Sequence, residues 1–499
     1  MSEAHFTTGS TMRHVAVMTG TGAVGLMALF LVDAVNLFYI SLLGREELAA
    51  AIGFAGTFQF FLISISIGLA IAAGAVVSRT LGAGDDAGAR QAAGSALFVL
   101  VSALTLAGIA AFVFRHEGLA ALGAEGRTLE LAARFLAIVI PALPLLGIGM
   151  VTSGLLRAAG DGRRAMNVTL GGGIIAAVLD PILIFGLDLG LDGAALSSVA
   201  ARFGIAFIGL AFVTRVHDLL GLPGPARFLS DAKQLLAIAG PAVATQLSTP
   251  FGNAYLTRVV AEHGDEAVAG WAVVGRLAAV AFGGLFALSG AIGPILGQNR
   301  GAGLPDRIRM AYRDALIFTA GYVLVVWLAL WSLTPFILSG FDVGGGGVEV
   351  VRAFTSFGAG AWLFSGWLFV SNAACNNLGR PLWATGFNWS RDAAAIPLLA
   401  LLITGGLGLG MVASPADAVA VQALAAVLMG TTAAVVTGRL LLPRLGDAVA
   451  QPAPAGPELP PFTSGRAAPI YPSGGASRPK AEGEREGEAG TLAKTAPPG

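Results

Sequence analysis

Long apolar runs separated by short polar connections recur from one end of the chain almost to the other. A helix that crosses the hydrocarbon core of a bilayer needs about 20 mostly apolar residues. The pattern predicts about twelve such spans, at 14–42, 50–78, 92–114, 129–156, 165–187, 192–214, 235–261, 267–297, 311–339, 350–376, 382–408 and 416–441. The predicted fold class is therefore an all-α polytopic membrane protein.

Composition narrows the class of protein further. Of the 499 residues, 55% are apolar and only 12% are charged, about half the charged fraction of an ordinary soluble domain. This excludes a disordered chain, a nucleic-acid binder and almost any cytosolic enzyme. A single cysteine, Cys375, excludes an internal disulfide, and the five histidines lack metal-ligand spacing. We therefore expect a protein without a cofactor, a bound metal or a nucleic-acid partner, and not an enzyme.

Positive charge is concentrated in the connections on one side of the predicted bundle. These connections hold Arg79, Arg90, Arg157, Arg163, Arg164, Arg215, Arg227, Lys233, Arg300, Arg307, Arg309, Arg313, Arg380, Arg439 and Arg444. Arginine and lysine in short loops favour the cytoplasmic side of a membrane. The pattern predicts a multi-pass protein of the cell inner (plasma) membrane with both termini in the cytoplasm.

The two halves of the chain resemble each other at an offset of about 220 residues. Three blocks keep their order, since 44–49 resembles 264–269, 81–84 resembles 300–303, and 156–163 resembles 373–380. Each half holds six spans, an even number, so the copies enter the membrane from the same side. This is the parallel-repeat arrangement of many secondary transporters.

The repeat defines a division of the chain. We expect a cytoplasmic N-terminus, an N-lobe, a cytoplasmic lobe linker, a C-lobe and a disordered tail rich in Ala, Pro, Gly and Ser. Their predicted ranges are 1–13, 14–216, 217–234, 235–445 and 446–499. Oligomeric contacts have no sequence signature here, and we expect a monomer.

Two carboxylates lie within predicted spans, where a charge costs several kcal/mol and indicates function. Asp33 lies about 16 Å, and Asp180 about 13 Å, from the turn that follows its span, at 1.5 Å per helical residue. Ser198 lies at a depth similar to that of Asp180, and Asn36 follows Asp33 by one turn. Asp33, Asp180, Ser198 and Asn36 are therefore the candidate cation-coupling residues.

The backbone next to Asp180 supports this interpretation. Pro181 has no backbone donor, so the carbonyl of Ala177 loses its helical partner. Interrupted helices beside buried polar groups form many cation sites in membrane transporters. A buried carboxyl binds a proton more readily than an exposed one, and a second carboxylate strengthens that effect. The alternative is that each Asp only neutralises an arginine or a helix end.

The second half offers candidates for substrate binding. Asn253 occupies the position that the offset assigns to Asp33, so the polar group is kept without its charge. With Gln246 of the same span and Trp271, it forms the predicted substrate-binding set, because aromatic rings attract organic cations. The interfacial belt accounts for most tryptophans equally well. We expect the intramembrane Arg391 and Asp392 to form a structural pair.

Taken together, the ordered motifs resemble the multidrug and toxic compound extrusion (MATE) family, over about residues 13–443. The motifs are Val32-Asp33 with Gly44 and 48–50, then 155–161, Leu179-Asp180-Pro181, and 297–303 followed by Arg307. The resemblance implies twelve helices in two lobes and export of cationic or amphipathic compounds in exchange for inward H⁺ or Na⁺. It is closest to the DinF-like branch, whose coupling residues correspond to Asp33, Asp180 and, with Ser in place of Thr, Ser198.

Two positions depart from the family pattern. The fifth-helix Asn expected one turn before the Asp is Ala176, and the fourth-helix Asn is absent near Met150. Sodium needs several oxygen ligands, whereas a proton needs only a carboxylate, so H⁺ is the favoured coupling ion. We therefore predict an alternating-access antiporter of small organic cations or amphipathic drugs. The alternatives are a lipid-linked saccharide flippase of the same superfamily, an intramembrane enzyme, and a passive channel.

Overall fold

The computed structural model describes residues 5–41, 46–341, 343–403 and 414–443. Within these ranges the chain is helical or forms connections between helices, and it contains no strand. The predicted tail, 446–499, lies outside the described residues. The N-terminal residues 5–7 form a single 3₁₀ turn before the first long helix.

The first half of the chain forms six long helical segments from eight helices. They are α1 (Thr11–Ser41), α2 (Glu46–Gly82), α3 (Asp86–Val113), α4 (Arg115–Ala121), α5 (Gly126–Val139), α6 (Leu143–Ala158), α7 (Gly162–Pro181) and α8 (Gly190–Ala211). A 3₁₀ turn at Ile140–Ala142 joins α5 to α6 in one segment. Short π-helical segments, Ile182–Gly186 and Phe212–Val216, extend α7 and α8.

The second half repeats this pattern. Its helices are α9 (Pro225–Ala261), α10 (Asp265–Ala281), α11 (Gly283–Gly301), α12 (Pro305–Gly340), α13 (Gly345–Ala353), α14 (Ala359–Asn377), α15 (Pro381–Trp389), α16 (Ile396–Ile403) and α17 (Asp417–Val436). Pairs α10–α11, α13–α14 and α15–α16 each form one segment, so there are again six. The π-helical segments here are Phe354–Gly358, Ser390–Ala395 and Thr437–Leu441.

These twelve segments coincide with the twelve predicted spans. Among the described residues nine are long and apolar enough to cross a membrane, and a tenth qualifies if α10 and α11, bent by 44° at Phe282, count together. The other two are α9, with charged residues in its first turns, and the segment α15–α16, which contains Arg391 and Asp392. The predicted class, an all-α polytopic membrane protein, is confirmed.

The predicted lobe linker is too long, because helix α9 begins at Pro225 rather than near 235. Proline is favoured in the first turn of a helix, where its missing N–H costs nothing. The buried carboxylate of Asp231 fixes this turn, since it accepts a 3.0 Å hydrogen bond from Ser95 of α3 and pairs with Arg227 at 3.2 Å. The connection outside a helix is therefore only residues 217–224.

Each lobe has its own apolar core, and α1 lies where the lobes meet. The core of the first lobe runs from Leu48 to Ala239 and so includes the first half of α9, and the core of the second lobe lies between Leu256 and Ala425. A third joins Phe6, Val15 and Met18 to helices of the second lobe. Helix α1 packs against α7 on one face and α11 on another.

The helix ends define two sides of the bundle. We call the side that holds the start of α1 and the connections after α2, α6, α8, α11 and α14 the terminal side. It is the arginine-rich side of the sequence. The last residues of α1, α3, α7, α9 and α12 lie on the opposite side.

Candidate functional site

Asp180 lies at the end of α7, where the helix changes its hydrogen-bonding pattern. Its side chain is only 1% exposed. Pro181 follows directly and ends α7, and the next five residues, Ile182–Gly186, form a π-helical turn. The predicted interruption beside a buried carboxylate is therefore present in the backbone.

Helix α8 packs closely against this interruption. A Cβ added to Gly193 would lie 2.6 Å from the carbonyl oxygen of Leu183, so only glycine permits the contact. One turn later the fully buried Ser197 donates a 3.4 Å hydrogen bond to the carbonyl oxygen of Ala176. Ser198 is half-buried. The hydroxyl that contacts α7 thus belongs to Ser197, one residue before the predicted one.

Helix α1 runs beside α7 over the stretch that contains both candidate aspartates. A side-chain carbon of Val32 lies 3.5 Å from the place where a Cβ of Gly173 would be. Further along, the rings of Tyr39 and Phe185 meet edge to face with centroids 5.7 Å apart. This part of α1 therefore runs beside the segment of α7 that ends in Asp180. Asp33 and Asn36 belong to this part of α1, and their side chains lie outside the described part of the structure.

A buried arginine fixes the helices around this region. Arg202 of α8 is 8% exposed and donates to the carbonyl oxygen of Val139 at 2.8 Å and to Oε1 of Gln59 at 2.6 Å. It thereby joins α8 to α5 and α2. Both acceptors are neutral, so neither of them offsets the positive charge of this guanidinium inside the first lobe.

The second lobe has a buried carboxylate in the corresponding fifth span. Asp392 is 2% exposed and lies in the π-helical segment Ser390–Ala395. Arg391 binds it through two hydrogen bonds of 2.7 and 3.0 Å. Gly252 of α9 packs against the same carboxylate. The predicted structural pair is confirmed, and Arg391 neutralises the buried charge of Asp392.

The three predicted substrate-binding residues differ in their burial. Asn253 is exposed on α9, and Gln246 is half-buried two turns earlier. Trp271 is 7% exposed and belongs to the core of the second lobe. Packing explains Trp271, while a role for all three in binding stays a prediction.

The lobes are joined by a polar seam on the terminal side that the sequence did not predict. Gln298 of α11 is fully buried; it donates a 2.8 Å hydrogen bond to the carbonyl oxygen of Ala158 and accepts one of 2.9 Å from the N–H of Phe6. Gly301 lies so close to α2 that a Cβ would overlap the carbonyl oxygen of Arg79. In the sequence, Gln298 and Gly301 stood out only as members of the family motif at 297–303.

Comparison with known proteins supports the resemblance. The family model MatE matches residues 23–182 and 241–401. An FAD transporter of Shewanella oneidensis is 30% identical over 318 residues, which cover 62% of this chain and 69% of that protein. The multidrug export protein MepA of Staphylococcus aureus is 23% identical over 386 residues, which cover 76% and 84%.

Solved structures have the same fold. A mutant of the Vibrio cholerae MATE transporter VcmN aligns with a TM-score of 0.79 at 23% identity, covering 87% of this chain and 98% of that one. An outward-facing multidrug resistance MATE transporter aligns with a TM-score of 0.82 at 18% identity, covering 90% and 99%. With two halves that each match the family model and with twelve helical segments in two lobes, the chain belongs to the MATE family of membrane transporters.

Proposed function

We propose that this transporter exports cationic or amphipathic small molecules in exchange for inward H⁺. Protonation of Asp33 and Asp180 from outside would neutralise the first lobe and favour release of the substrate. The lobes would then rock to open the site inward. We assign the protein to the inner membrane as a monomer of the DinF-like branch, with the terminal side in the cytoplasm.

The observation that carries this proposal is the position of Asp180. Its carboxyl group is almost completely buried beside a helix interruption, and the stretch of α1 between Val32 and Tyr39 runs beside the same segment. Intramembrane carboxylates are costly, and they typically mark ion or proton pathways. The flanking contacts of Val32 with Gly173 and of Tyr39 with Phe185 support a shared site.

The choice of H⁺ over Na⁺ rests on the oxygen atoms available near Asp180. The family's Asn is replaced by Ala176, whose carbonyl oxygen already accepts the hydroxyl of Ser197. Sodium binds through several oxygen ligands, whereas proton uptake requires a single carboxylate. This supports proton coupling, with Ser197 as a packing residue and Ser198 as the remaining candidate hydroxyl.

Transport by purified protein in liposomes that contain a pH dye tests the proposal. We expect an organic cation such as ethidium to trigger proton movement in the absence of Na⁺. Asp33→Asn and Asp180→Asn should each abolish this movement, although both variants insert and fold. Wild-type exchange by either variant would contradict the mechanism, and strict dependence on Na⁺ would contradict the assigned ion.

Asp188→Asn is the matched control. Asp188 is exposed in the connection after α7 and has a φ of 51°, a conformation that asparagine also accepts. The same charge is therefore removed close to Asp180 without changing the buried carboxylate. We expect this variant to transport like the wild type.

Export of FAD is the second candidate function. It is favoured by the 30% identity with a protein named as an FAD transporter. FAD is anionic and much larger than most drug cations, so the two candidates differ in the charge that the cavity must accept. Efflux of FAD from loaded liposomes, measured beside ethidium, separates them. Transport of FAD alone would replace drug export as the function.

A further inference from the structure

A cavity of about 470 Å³ lies where the two lobes meet on the terminal side. Its walls are the last turn of α2, the first turns of α9 and the last turn of α11. Three guanidinium groups line it, those of Arg79, Arg227 and Arg300, together with Gln234 and the hydroxyl groups of Thr80 and Ser230. The cavity is on the terminal side, whereas Asp180 lies at the end of α7 that points to the opposite side, so the cavity is separate from the candidate transport site.

Two of these arginines have neutral partners. Arg79 donates to Oε1 of Gln234, and Arg300 donates to the main-chain carbonyl of Asn377 at 2.6 Å. The third, Arg227, pairs with Asp231 at 3.2 Å. Among the described residues, the ion pairs include neither Arg79 nor Arg300.

The two carboxylates that line the cavity are already engaged. Asp231 also accepts a hydrogen bond from Ser95, and Asp85 accepts one of 2.7 Å from the N–H of Gly88 as the cap of α3. Because Asp231 pairs with Arg227, the lining keeps a net charge of one positive unit, the single negative charge of Asp85 against the two guanidinium groups of Arg79 and Arg300. Each lies in the last turn of its helix, where the dipole favours a cation. The helix dipole explains why an arginine is favourable at each of these helix ends, but it does not explain why both arginines line one cavity.

The shape of the cavity depends on how the two lobes are arranged, because Arg79 and Arg300 lie on different lobes. Arg79 belongs to the first lobe and Arg300 to the second, and the close contact of Gly301 with the carbonyl of Arg79 holds the two helix ends together. When the lobes part on this side, the two guanidinium groups separate. A ligand held by both is therefore bound only while the terminal side is closed.

We propose that this cavity binds a phosphate group between Arg79 and Arg300, and that the bound anion stabilises closure of the terminal side. A guanidinium binds phosphate through two parallel hydrogen bonds, and the net positive charge of the lining matches a monoanionic phosphate or phosphodiester. Thr80, Ser230 and Gln234 add neutral donors. The group is supplied by free inorganic phosphate or by the headgroup of an anionic phospholipid, since both present the same oxygens.

Thermal unfolding of the full-length protein, followed by tryptophan fluorescence, tests the site with two probes. The first is inorganic phosphate in detergent, compared with chloride at equal ionic strength. The second is a nanodisc of phosphatidylglycerol, compared with phosphatidylcholine. We expect one probe to raise the Tm by about 2–5 °C through preferential binding to the folded state. A response to phosphate identifies a soluble anion, and a response to phosphatidylglycerol alone identifies a lipid headgroup.

The variants Arg79→Gln and Arg300→Gln should each lose the rise in Tm. Arg163→Gln is the control, because Arg163 is exposed on the same side of the bundle and lines a different surface. A second measurement does not depend on whether the variants fold. It is the binding of radiolabelled phosphate to the wild type, with phosphatidylglycerol as the competitor. The absence of any response in the wild type, or an equal rise in Arg79→Gln and Arg300→Gln, would overturn the proposal.

Discussion

The side-chain amide of Gln298 donates a 2.8 Å hydrogen bond to the main-chain carbonyl of Ala158, and so joins the last turn of α11 to the last turn of α6. These helices belong to different lobes. The same amide accepts the N–H of Phe6, which brings the N-terminal turn into the contact. One fully buried side chain therefore links three parts of the chain on the terminal side.

Gln298→Ala should loosen this junction. It leaves a buried carbonyl and a buried N–H without partners, at a cost of about 1–3 kcal/mol each. We expect a lower Tm and faster hydrogen exchange at residues 5–9 and in the turn after α6, measured on the protein in detergent.

Gln422→Ala is a suitable comparison, because Gln422 is half-buried in α17 within the second lobe. It removes an amide of the same size away from the seam. If both variants lower the Tm equally and neither changes exchange at residues 5–9, the junction has no special role.

Arg307 should be the residue that holds the N-terminal turn in place. Its guanidinium donates to the carbonyl oxygens of Phe6 at 2.9 Å, Thr8 at 3.0 Å and Gly9 at 3.1 Å, and to Oδ1 of Asn299 at 3.0 Å. Lysine cannot reproduce this planar set of donors. We expect Arg307→Lys to increase hydrogen exchange at residues 5–9 several-fold.

Arg309→Lys provides the matched control for that experiment. Arg309 lies on the same helix and pairs with the exposed Asp306 at 2.8 Å, an ion pair of the kind that contributes little to stability. Unchanged exchange at residues 5–9 in Arg307→Lys would show that the burial of Phe6 and its hydrogen bond to Gln298 suffice to fix the turn.

The helices and the buried carboxylate were predictable because each follows from local sequence. A span requires a run of apolar residues, and Pro181 beside Asp180 dictates an interruption wherever the neighbouring helices lie. The start of α9 was not predictable in this way. Its first turn is polar, and its stability comes from Asp231 meeting Ser95 on a helix more than a hundred residues earlier.

The position of a residue along its span could not tell whether Ser197 or Ser198 contacts α7. Both serines lie at a similar depth, but adjacent helical residues point about 100° apart. The buried positions Ala194, Ser197 and Ala201 form one stripe, which identifies Ser197 as the residue that packs inward. Depth alone could not distinguish the two, whereas the helical period of small residues could have done so.

The free energy of unfolding should fall in acid because Asp161, which lies between α6 and α7, becomes protonated. Burial raises the pKa of this carboxyl, but hydrogen bonds from the N–H and guanidinium of Arg164 and from His217 outweigh it, so the pKa is lowered. A lowered pKa in the folded state means that the stabilisation is present above the unfolded value, about 3.9, and is lost as the pH falls through the folded value.

Asp161→Asn isolates this effect, because asparagine also caps a helix well. We expect a lower Tm than the wild type at pH 7 and a difference that shrinks below about pH 4. Asp85→Asn is the control, since the exposed Asp85 caps α3 through the N–H of Gly88. An Asp161→Asn deficit that persists unchanged at pH 3 would contradict the assignment to charge.

Gly301→Ala should prevent full closure of the terminal side. Its Cβ would overlap the carbonyl oxygen of Arg79, a main-chain atom that cannot move aside as a side chain can. Gly321→Ala in α12 adds the same methyl group where no atom lies within 4 Å, and serves as the control.

The reporter is a cysteine at the fully buried Ser78, introduced in a Cys375→Ser background, because Ser78 meets Gly297 across the seam. We expect maleimide to label this cysteine several-fold faster in Gly301→Ala than in Gly321→Ala, since the seam that buries it no longer closes. Equal labelling in the two variants would mean that the lobes close without direct contact between α2 and α11.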